Sequence, residues 1–311
     1  MQEKWFLIHN PVSGGGKSAK EWQRIRNILN LHHIPHEHRF TEYAGHAEQL
    51  AQEAISRSLS RTSVGSFTRI AVIGGDGTLN EAANGILKQN IIPPKDILLG
   101  LIPIGRGNDW ARGMKIKRDY ISAVERLAAG NSILQDVGIV KWQDQERYFV
   151  NMCGIGFDAF VAKKVNIKKA RGGKVGHITY LLELFNNLLK YSSTSMTINL
   201  DDIEMKDDFF TIAVAILPFN GGGMMQAPGA MADDGLFHIT LIRKISKMEV
   251  IMEVKNLFDG SFVKHPKVEQ LTCRKISLIS TPPVPVETDG EFITETPVTI
   301  EILPESLRVL V

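Results

Sequence analysis

A chain of 311 residues with 43% hydrophobic side chains and a net charge of only +2 holds enough apolar material for two cored domains. That balance of charge does not exclude an anionic surface, and no nucleic-acid partner is expected. Two cysteines in no metal or redox spacing suggest a reducing compartment, and no run approaches about 18 consecutive apolar residues, which excludes a bilayer-spanning helix. The segment Met1-Gln2-Glu3-Lys4-Trp5 enters a strand-like run at once and lacks the basic-then-apolar plan of a signal peptide. The expected location is the cytoplasm.

Trp5-Phe6-Leu7-Ile8 reads as a buried strand, and Asn10-Pro11-Val12-Ser13-Gly14-Gly15-Gly16-Lys17-Ser18 as a polar loop. Trp22, Ile25, Ile28 and Leu29 then mark one face of a helix. Gly16-Lys17-Ser18 invites a P-loop, but that motif needs Gly where this chain has Pro11. Proline fixes φ and offers no N–H, so the first phosphate-cradling turn would be spoiled. The preferred reading is a looser nucleotide loop in which Asn10, Ser13 and nearby N–H groups face phosphate. A short strand at 36–40 ends at Thr41, where open α/β sheets place ligands. A helix follows from about 46 to 59, with Leu50, Ala51, Ala54 and Ile55 on its face. His32, His33, His36 and His38 have no Cys or carboxylate at metal-ligand spacing and are expected on a solvated edge.

Behind the apolar run Ile70-Ala71-Val72-Ile73 lies Gly74-Gly75-Asp76-Gly77-Thr78-Leu79-Asn80-Glu81, and Leu79, Ala82, Ala83, Ile86 and Leu87 give the next helix an apolar face. A strand feeding a glycine loop that opens a helix suits an anion, because backbone N–H groups converge there. Asp76 would repel bare phosphate but fits if it holds Mg²⁺. The bland alternative is a capping Asp at an ordinary corner. After another apolar strand at 97–103 comes Ile104-Gly105-Arg106-Gly107-Asn108-Asp109-Trp110-Ala111-Arg112, a third glycine loop opening a helix. Three strand–loop–helix units in succession predict a parallel sheet with a nucleotide across its carboxyl ends.

After Asp136-Val137-Gly138 short β-rich runs dominate, with alternation in Thr197-Ile198-Asn199-Leu200-Asp201 and Thr299-Ile300-Glu301-Ile302. The second half is therefore β-rich and antiparallel, with helices near 176–191 and 246–259. The boundary falls near 137–142. Gly221 to Met225, Ala227 to Ala230 and Asp233-Asp234-Gly235-Leu236 form a long glycine-rich loop. It suits a hard-cation site, or equally a type I′ turn at Asp234-Gly235. Glu287-Thr288-Asp289-Gly290-Glu291 sets three acids between strand-like runs, which by itself reads as a solvated turn.

Taken in order, Asn10-Pro11 with Ser13-Gly14, Gly74 to Glu81, Pro103 to Arg112, Asp136-Val137-Gly138, Asn151 with Gly154-Ile155-Gly156-Phe157-Asp158, the 221–236 loop and Asp289-Gly290-Glu291 resemble the diacylglycerol kinase catalytic family. That family includes sphingosine kinases and bacterial soluble lipid kinases. The match runs over nearly the whole chain. The resemblance implies an N-terminal open parallel α/β nucleotide-binding domain over 1–138 and a C-terminal antiparallel β-sandwich over 139–302, with a last strand at about 303–311 returning to the first. It also implies Mg²⁺-dependent transfer of the γ-phosphoryl group of ATP to a lipid hydroxyl, as in diacylglycerol or a sphingoid base. The implied ATP contacts are Asn10, Pro11, Ser13, Gly14, Thr41, the loop Gly74, Gly75, Asp76, Gly77, Thr78, Leu79, Asn80 and Glu81, and Arg106, Asn108 and Asp109. The implied catalytic Mg²⁺ network is Asp76, Asp109 and Asp136, with a structural metal at the Asp234 carboxylate and the carbonyls of Met231 and Leu236. The base would be Asp289 or Glu291, one of which should reach the substrate hydroxyl. An NAD kinase shares the central loop but does not need the Asn10 loop or the Asp289 motif in this form. A third reading is a nucleotide- or lipid-binding protein that has lost transfer.

One position departs from the family pattern: Arg106 stands where relatives have Thr or Ser. Its fixed charge would either grip phosphates or fill the groove. For membrane access, Lys163, Lys164, Lys168, Lys169, Arg171 and Lys174 precede an apolar helix face of Ile178, Leu181, Leu182, Phe185, Leu188 and Leu189. This suits peripheral docking on anionic headgroups, or else a solvated loop before a packed helix. A homodimer is left open.

Overall fold

The structure is a computed structural model that describes residues 4–57, 67–170 and 184–311. The chain forms two units, Met1–Asp136 with Glu305–Val311, and Val137–Pro304.

In the first unit β1 (Trp5–His9) is followed by α1 (Ser13–Leu31), β2 (His36–Phe40) and α2 (His46–Ser56). Next come β3 (Arg69–Gly74), α3 (Asp76–Lys88), β4 (Leu98–Pro103), α4 (Asp109–Gly113) and α5 (Tyr120–Ala129). The strands pair in parallel in the order β2-β1-β3-β4, and the C-terminal residues Arg308 and Val309 add in parallel beyond β4. The apolar runs β1, β3 and β4 take the centre because both their faces are covered, while the polar HEHRF segment of β2 takes an edge. Trp5, Leu7, Ile25, Leu29, Ile73 and Leu127 belong to one buried cluster between sheet and helices. Each such side chain contributes about 1.5–3 kcal/mol by leaving water.

Of the four clustered histidines, His33 is exposed and His32 and His36 partly so, while His38 departs from the expected solvated edge. His38 stacks on Trp22 with ring centroids 4.1 Å apart, and fully buried His9 lies 5.5 Å from it. Burial lowers both imidazoles to about 4, so they are neutral at physiological pH.

β5 (Ser132–Trp142) carries the chain into the second unit, whose further strands are β6 (Gln145–Phe149), β7 (Met152–Gly156), β8 (Thr194–Leu200) and β9 (Ile203–Ala215). After the short β10 (Phe219–Asn220) and β11 (Met224–Met225) come β12 (Phe237–Arg243), β13 (Val268–Cys273), β14 (Lys275–Thr281), β15 (Pro285–Thr288), β16 (Glu291–Glu295) and β17 (Val298–Leu310). Pairing within this unit is antiparallel, and long β9 exchanges β8 for β7 along one edge while β12 follows the other. This is the α/β-plus-antiparallel-β architecture that the residue pattern and the resemblance implied.

The helices of this unit among the described residues are α6 (Phe157–Ala170), α7 (Lys247–Glu253) and α8 (Asn256–Asp259), with helix also at 184–188, inside the helix expected near 176–191. The first part of the basic stretch is therefore helix rather than loop, and Lys163 pairs with Glu295 at 3.0 Å. Arg171, Lys174, Ile178, Leu181 and Leu182 lie outside the described residues, as do positions 58–59 of the helix expected after Thr41.

Candidate active site

In the first unit three strand ends deliver three loops to one place. Gly14, Gly15 and Gly16 hold φ of 63°, 74° and 86°, a run that side-chain-bearing residues rarely adopt, so the chain loops before α1 settles into its regular turns. The first loop is tied to the second by Asn10 Nδ2 donating to Thr78 Oγ1 at 2.9 Å and by Asn10 N–H donating to Ile73 O at 3.0 Å. The second loop is tied to the third where the N–H groups of Ile104 and Gly105 both donate to Gly74 O, at 2.7 and 3.1 Å. Gly75 and Gly105 pack backbone to backbone: a Cβ on Gly75 would stand 2.8 Å from the Gly105 Cα. Thr41 N–H donates to His9 O at 2.8 Å, which sets its buried side chain beside the first loop.

Asp76 and Asp109 converge on Gly107. A Cβ there would lie 3.2 Å from Asp76 Oδ2 and 3.3 Å from Asp109 Oδ2. Asp76 opens α3 and accepts the Trp110 N–H on Oδ1 at 3.1 Å, so the same carboxylate caps α4. Burial pushes the Asp76 carboxyl above its usual range, opposed by the surrounding backbone N–H groups. On the same loop Asn108 Oδ1 is buried without a hydrogen-bond partner and faces Gly105 and Gly75, where an added Cβ would lie 2.5 and 3.7 Å from it. Two carboxylates and an unsatisfied amide oxygen next to N–H-rich glycine loops fit a hard cation with a polyphosphate. Asp136 accepts the Glu305 N–H at 2.8 Å and so fastens the returning strand. Among the described residues no three His, Cys, Asp or Glu side chains form a metal-holding group.

The other expected contacts divide. Pro11 and Ser13 flank the Asn10 turn, where Ser13 N–H donates to Asn10 O at 3.2 Å. Leu79 is in the core, Asn80 bonds Asn84 within α3, and Glu81 accepts the Ala47 N–H at 3.2 Å. These residues shape the loop from behind, whereas Gly74, Gly77 and Thr78 lie on it. Arg106 is exposed, and its guanidinium rests on the first loop: Nη2 would be 2.5 Å from a Cβ on Gly15.

In the second unit Asp289 and Gly290 have φ of 49° and 86°, both positive as a type I′ hairpin turn requires. That turn joins β15 to β16 and turns Asp289 inward. Its carboxylate accepts N–H groups from Val150, Asn151 and Met152 at 3.0, 3.0 and 2.9 Å. Glu291, the first residue of β16, is partly exposed. At the 221–236 loop, Asp234 Oδ1 accepts the Leu236 N–H at 3.1 Å and Oδ2 meets His238 Nε2 at 2.8 Å. The Met231 side chain is exposed. Only Gly235 of the Asp234-Gly235 pair has positive φ, so the type I′ alternative is not formed.

Two features were not read from the sequence. Glu287 is fully buried against Gly154, accepting the Gly290 N–H at 2.6 Å with Asn220 Nδ2 at 3.4 Å. Burial, with Asp289 and Asp158 nearby, pushes it up to about 8. Between about pH 4.5 and 8 the folded chain thus keeps a proton that the unfolded chain has released, and stability falls as pH rises through that window. Glu287→Gln should flatten this fall, which reaches ~1.4 kcal/mol per pH unit, in urea titrations at several pH values; an unchanged slope would assign the proton elsewhere. The second feature is a narrow apolar cavity of about 60 Å³, lined by Phe157, Phe210, Ile242, Val254 and Leu257. Asp158 and Gln226 also line it, with Gln226 Nε2 donating to Asp158 Oδ2 at 3.0 Å. A lone Asp in the Gly156-Phe157-Asp158 run gave no signal of this, because the cavity walls come from stretches of chain as far apart as Phe157 and Val268.

Residues 4–140 match the family described as diacylglycerol kinase catalytic domain, and residues 151–311 match the YegS C-terminal NAD kinase beta sandwich-like domain. A Bacillus subtilis (strain 168) protein named "Putative lipid kinase YtlR" is 30% identical over 318 residues, covering 98% of each chain. A protein of Staphylococcus carnosus (strain TM300) named diacylglycerol kinase is 26% identical, covering 99% of this chain and 95% of that one. A crystal structure titled as a diacylglycerol kinase from Bacillus anthracis str. Sterne superposes with a TM-score of 0.73 at 22% identity, over 99% of this chain and 96% of that one, and shares the fold. The chain therefore belongs to the diacylglycerol kinase catalytic-domain family of lipid kinases, in the form that carries a YegS-type C-terminal domain.

Proposed function

We propose that this chain moves the γ-phosphoryl group of ATP to the hydroxyl of a lipid such as diacylglycerol, with Mg²⁺ held by Asp76 and Asp109. The observation that carries the reading is the convergence of those two carboxylates on Gly107, among three interlocked glycine loops. Phosphoryl transfer asks for positioning and charge neutralisation more than covalent help, and the bound Mg²⁺–ATP would supply the phosphoryl group and the neutralising charge. Loop N–H groups orient the phosphates, Asn108 Oδ1 adds an oxygen donor, and Arg106 brings positive charge to the first loop. Glu291 accepts the proton of the lipid hydroxyl, since Asp289 is committed to three backbone N–H groups. Asp136 and a structural cation at Asp234 with the Met231 and Leu236 carbonyls complete the reading.

The apolar cavity of the second unit favours a lipid acceptor over NAD, whose charged body such walls would not solvate. The protein would work in the cytoplasm, touching the membrane only peripherally. Among the described residues no helix is long and apolar enough to cross a membrane. Offered γ-labelled ATP with a panel of diacylglycerol, sphingoid base, phosphatidylglycerol, undecaprenol and NAD, the protein should label a lipid alcohol. Label on NAD alone would overturn the proposal.

Arg106 gives a narrower test. A charge-assisted contact to phosphate is worth about 1.5–3 kcal/mol, so Arg106→Thr should raise the KM for ATP on the order of tenfold with kcat little changed. An unchanged KM for ATP and for GTP would remove Arg106 from nucleotide binding.

A further inference from the structure

The peptide groups on either side of Glu291 are both taken up by one side chain of α6. Asn166 Nδ2 donates to Gly290 O at 3.3 Å, and Asn166 Oδ1 accepts the Phe292 N–H at 2.8 Å. A side-chain amide carries donor and acceptor on one carbon, so a single residue can bracket another in this way.

The strand leaves those groups open for a physical reason. β16 is an end strand of the sheet, with β15 on one side of it. Thr288 pairs with Glu291 and Glu287 with Phe292. Antiparallel pairs alternate between those that exchange hydrogen bonds and those that do not, so the Phe292 N–H next to the turn points away from β15 and needs another partner. The register then slips by one, because Val286 pairs with Thr294. A bulge of this kind bends an edge strand and re-aims its side chains. The direction of Glu291 therefore depends on what grips the strand.

The grip is made from several sides. The Glu287 carboxyl accepts the Gly290 N–H at 2.6 Å, and Asp289 is tied to the segment entering β7. One turn before Asn166 on α6, Lys163 pairs with Glu295 at 3.0 Å and stands 4.4 Å from the centre of the Phe292 ring. Residues i and i+3 of α6 thus hold β16 at both its ends, and Asn166 holds the end that carries Glu291.

We propose that Asn166 is a positioning residue for Glu291: by holding the Gly290 carbonyl and the Phe292 N–H, it fixes the direction in which the Glu291 carboxylate leaves the strand. The proposal rests on the reading of Glu291 as the group that accepts the proton of the lipid hydroxyl. A base must come within hydrogen-bond reach of the proton it takes, and a displacement of about 1 Å can cost about 10²-fold in rate.

The test is a double-mutant cycle in the full chain, with γ-labelled ATP and micelle-dispersed diacylglycerol. Asn166 is partly buried and alanine favours helix, so Asn166→Ala should keep α6 and stay folded in urea titration. Its kcat should fall on the order of tenfold or more, with the KM for ATP unchanged. Added to Glu291→Gln, the same substitution should slow the protein no further, because the carboxylate that Asn166 aims is already gone. A purely structural role would make the two losses multiply. Amide hydrogen exchange reads the contact without turnover: the Phe292 N–H should exchange on the order of tenfold faster in Asn166→Ala. Wild-type kcat in Asn166→Ala, multiplied losses in the double variant, or unchanged Phe292 exchange overturns the proposal and leaves the kinase reading standing. A wild type that labels no lipid overturns the kinase reading, and the purpose of the Asn166 contact with it.

Discussion

Asp76→Asn should remove ATP-dependent phosphorylation, lowering kcat on the order of 10²-fold or more, while the protein remains folded. Asparagine keeps an oxygen where Asp76 Oδ1 accepts the Trp110 N–H, so the cap on α4 survives. What disappears is the negative charge that, with Asp109, faces the space beside Gly107. Asp76→Ala is a less clean probe, because the Trp110 N–H would be left without its acceptor, at a cost of about 1–3 kcal/mol. Parallel kcat and urea-midpoint measurements on the two variants separate charge from capping. Turnover near the wild-type level in Asp76→Asn would take Asp76 out of the mechanism.

The two acids of the second hairpin should behave in opposite ways. Glu291→Gln is expected to lower kcat by about 10² to 10⁴, with the urea midpoint unmoved, because Glu291 is partly exposed at the start of β16. Asp289→Ala should instead destabilise. Its carboxylate satisfies three backbone N–H groups of the segment entering β7, each worth about 1–3 kcal/mol when orphaned. Asp289→Asn should recover much of that loss, since Oδ1 alone serves Asn151 and Met152 and asparagine tolerates the left-handed φ of 49°. An Asp289→Ala protein as stable as wild type but inactive would reverse the two assignments.

The parallel sheet was legible because its signals are local. β1, β3 and β4 are short apolar runs, each followed within a few residues by glycine, and that sequence of events specifies strand, turn and helix without distant information. The converging acids were legible only as candidates. Asp76 and Asp109 are 33 positions apart, and only folding brings both to the space beside Gly107 where a Cβ would stand. Asp289 looked like part of a solvated turn because spacing does not reveal which way a carboxylate points. Its three N–H donors come from residues some 137 to 139 positions earlier. Glu287 hid for a related reason: in Val286-Glu287-Thr288 it has an ordinary strand alternation, and its burial comes from Gly154 on the neighbouring strand leaving room for it. His38 misled because Trp22, on which it stacks, arrives from α1.

Incubating the wild-type chain with γ-labelled ATP and micelle-dispersed diacylglycerol, with and without a chelator of Mg²⁺, puts the whole account to the question. Label should pass into the organic phase in the presence of the metal and stay with ATP when the metal is removed. Label that never reaches a lipid, or reaches it equally well in chelator, would contradict phosphoryl transfer directed by Asp76 and Asp109.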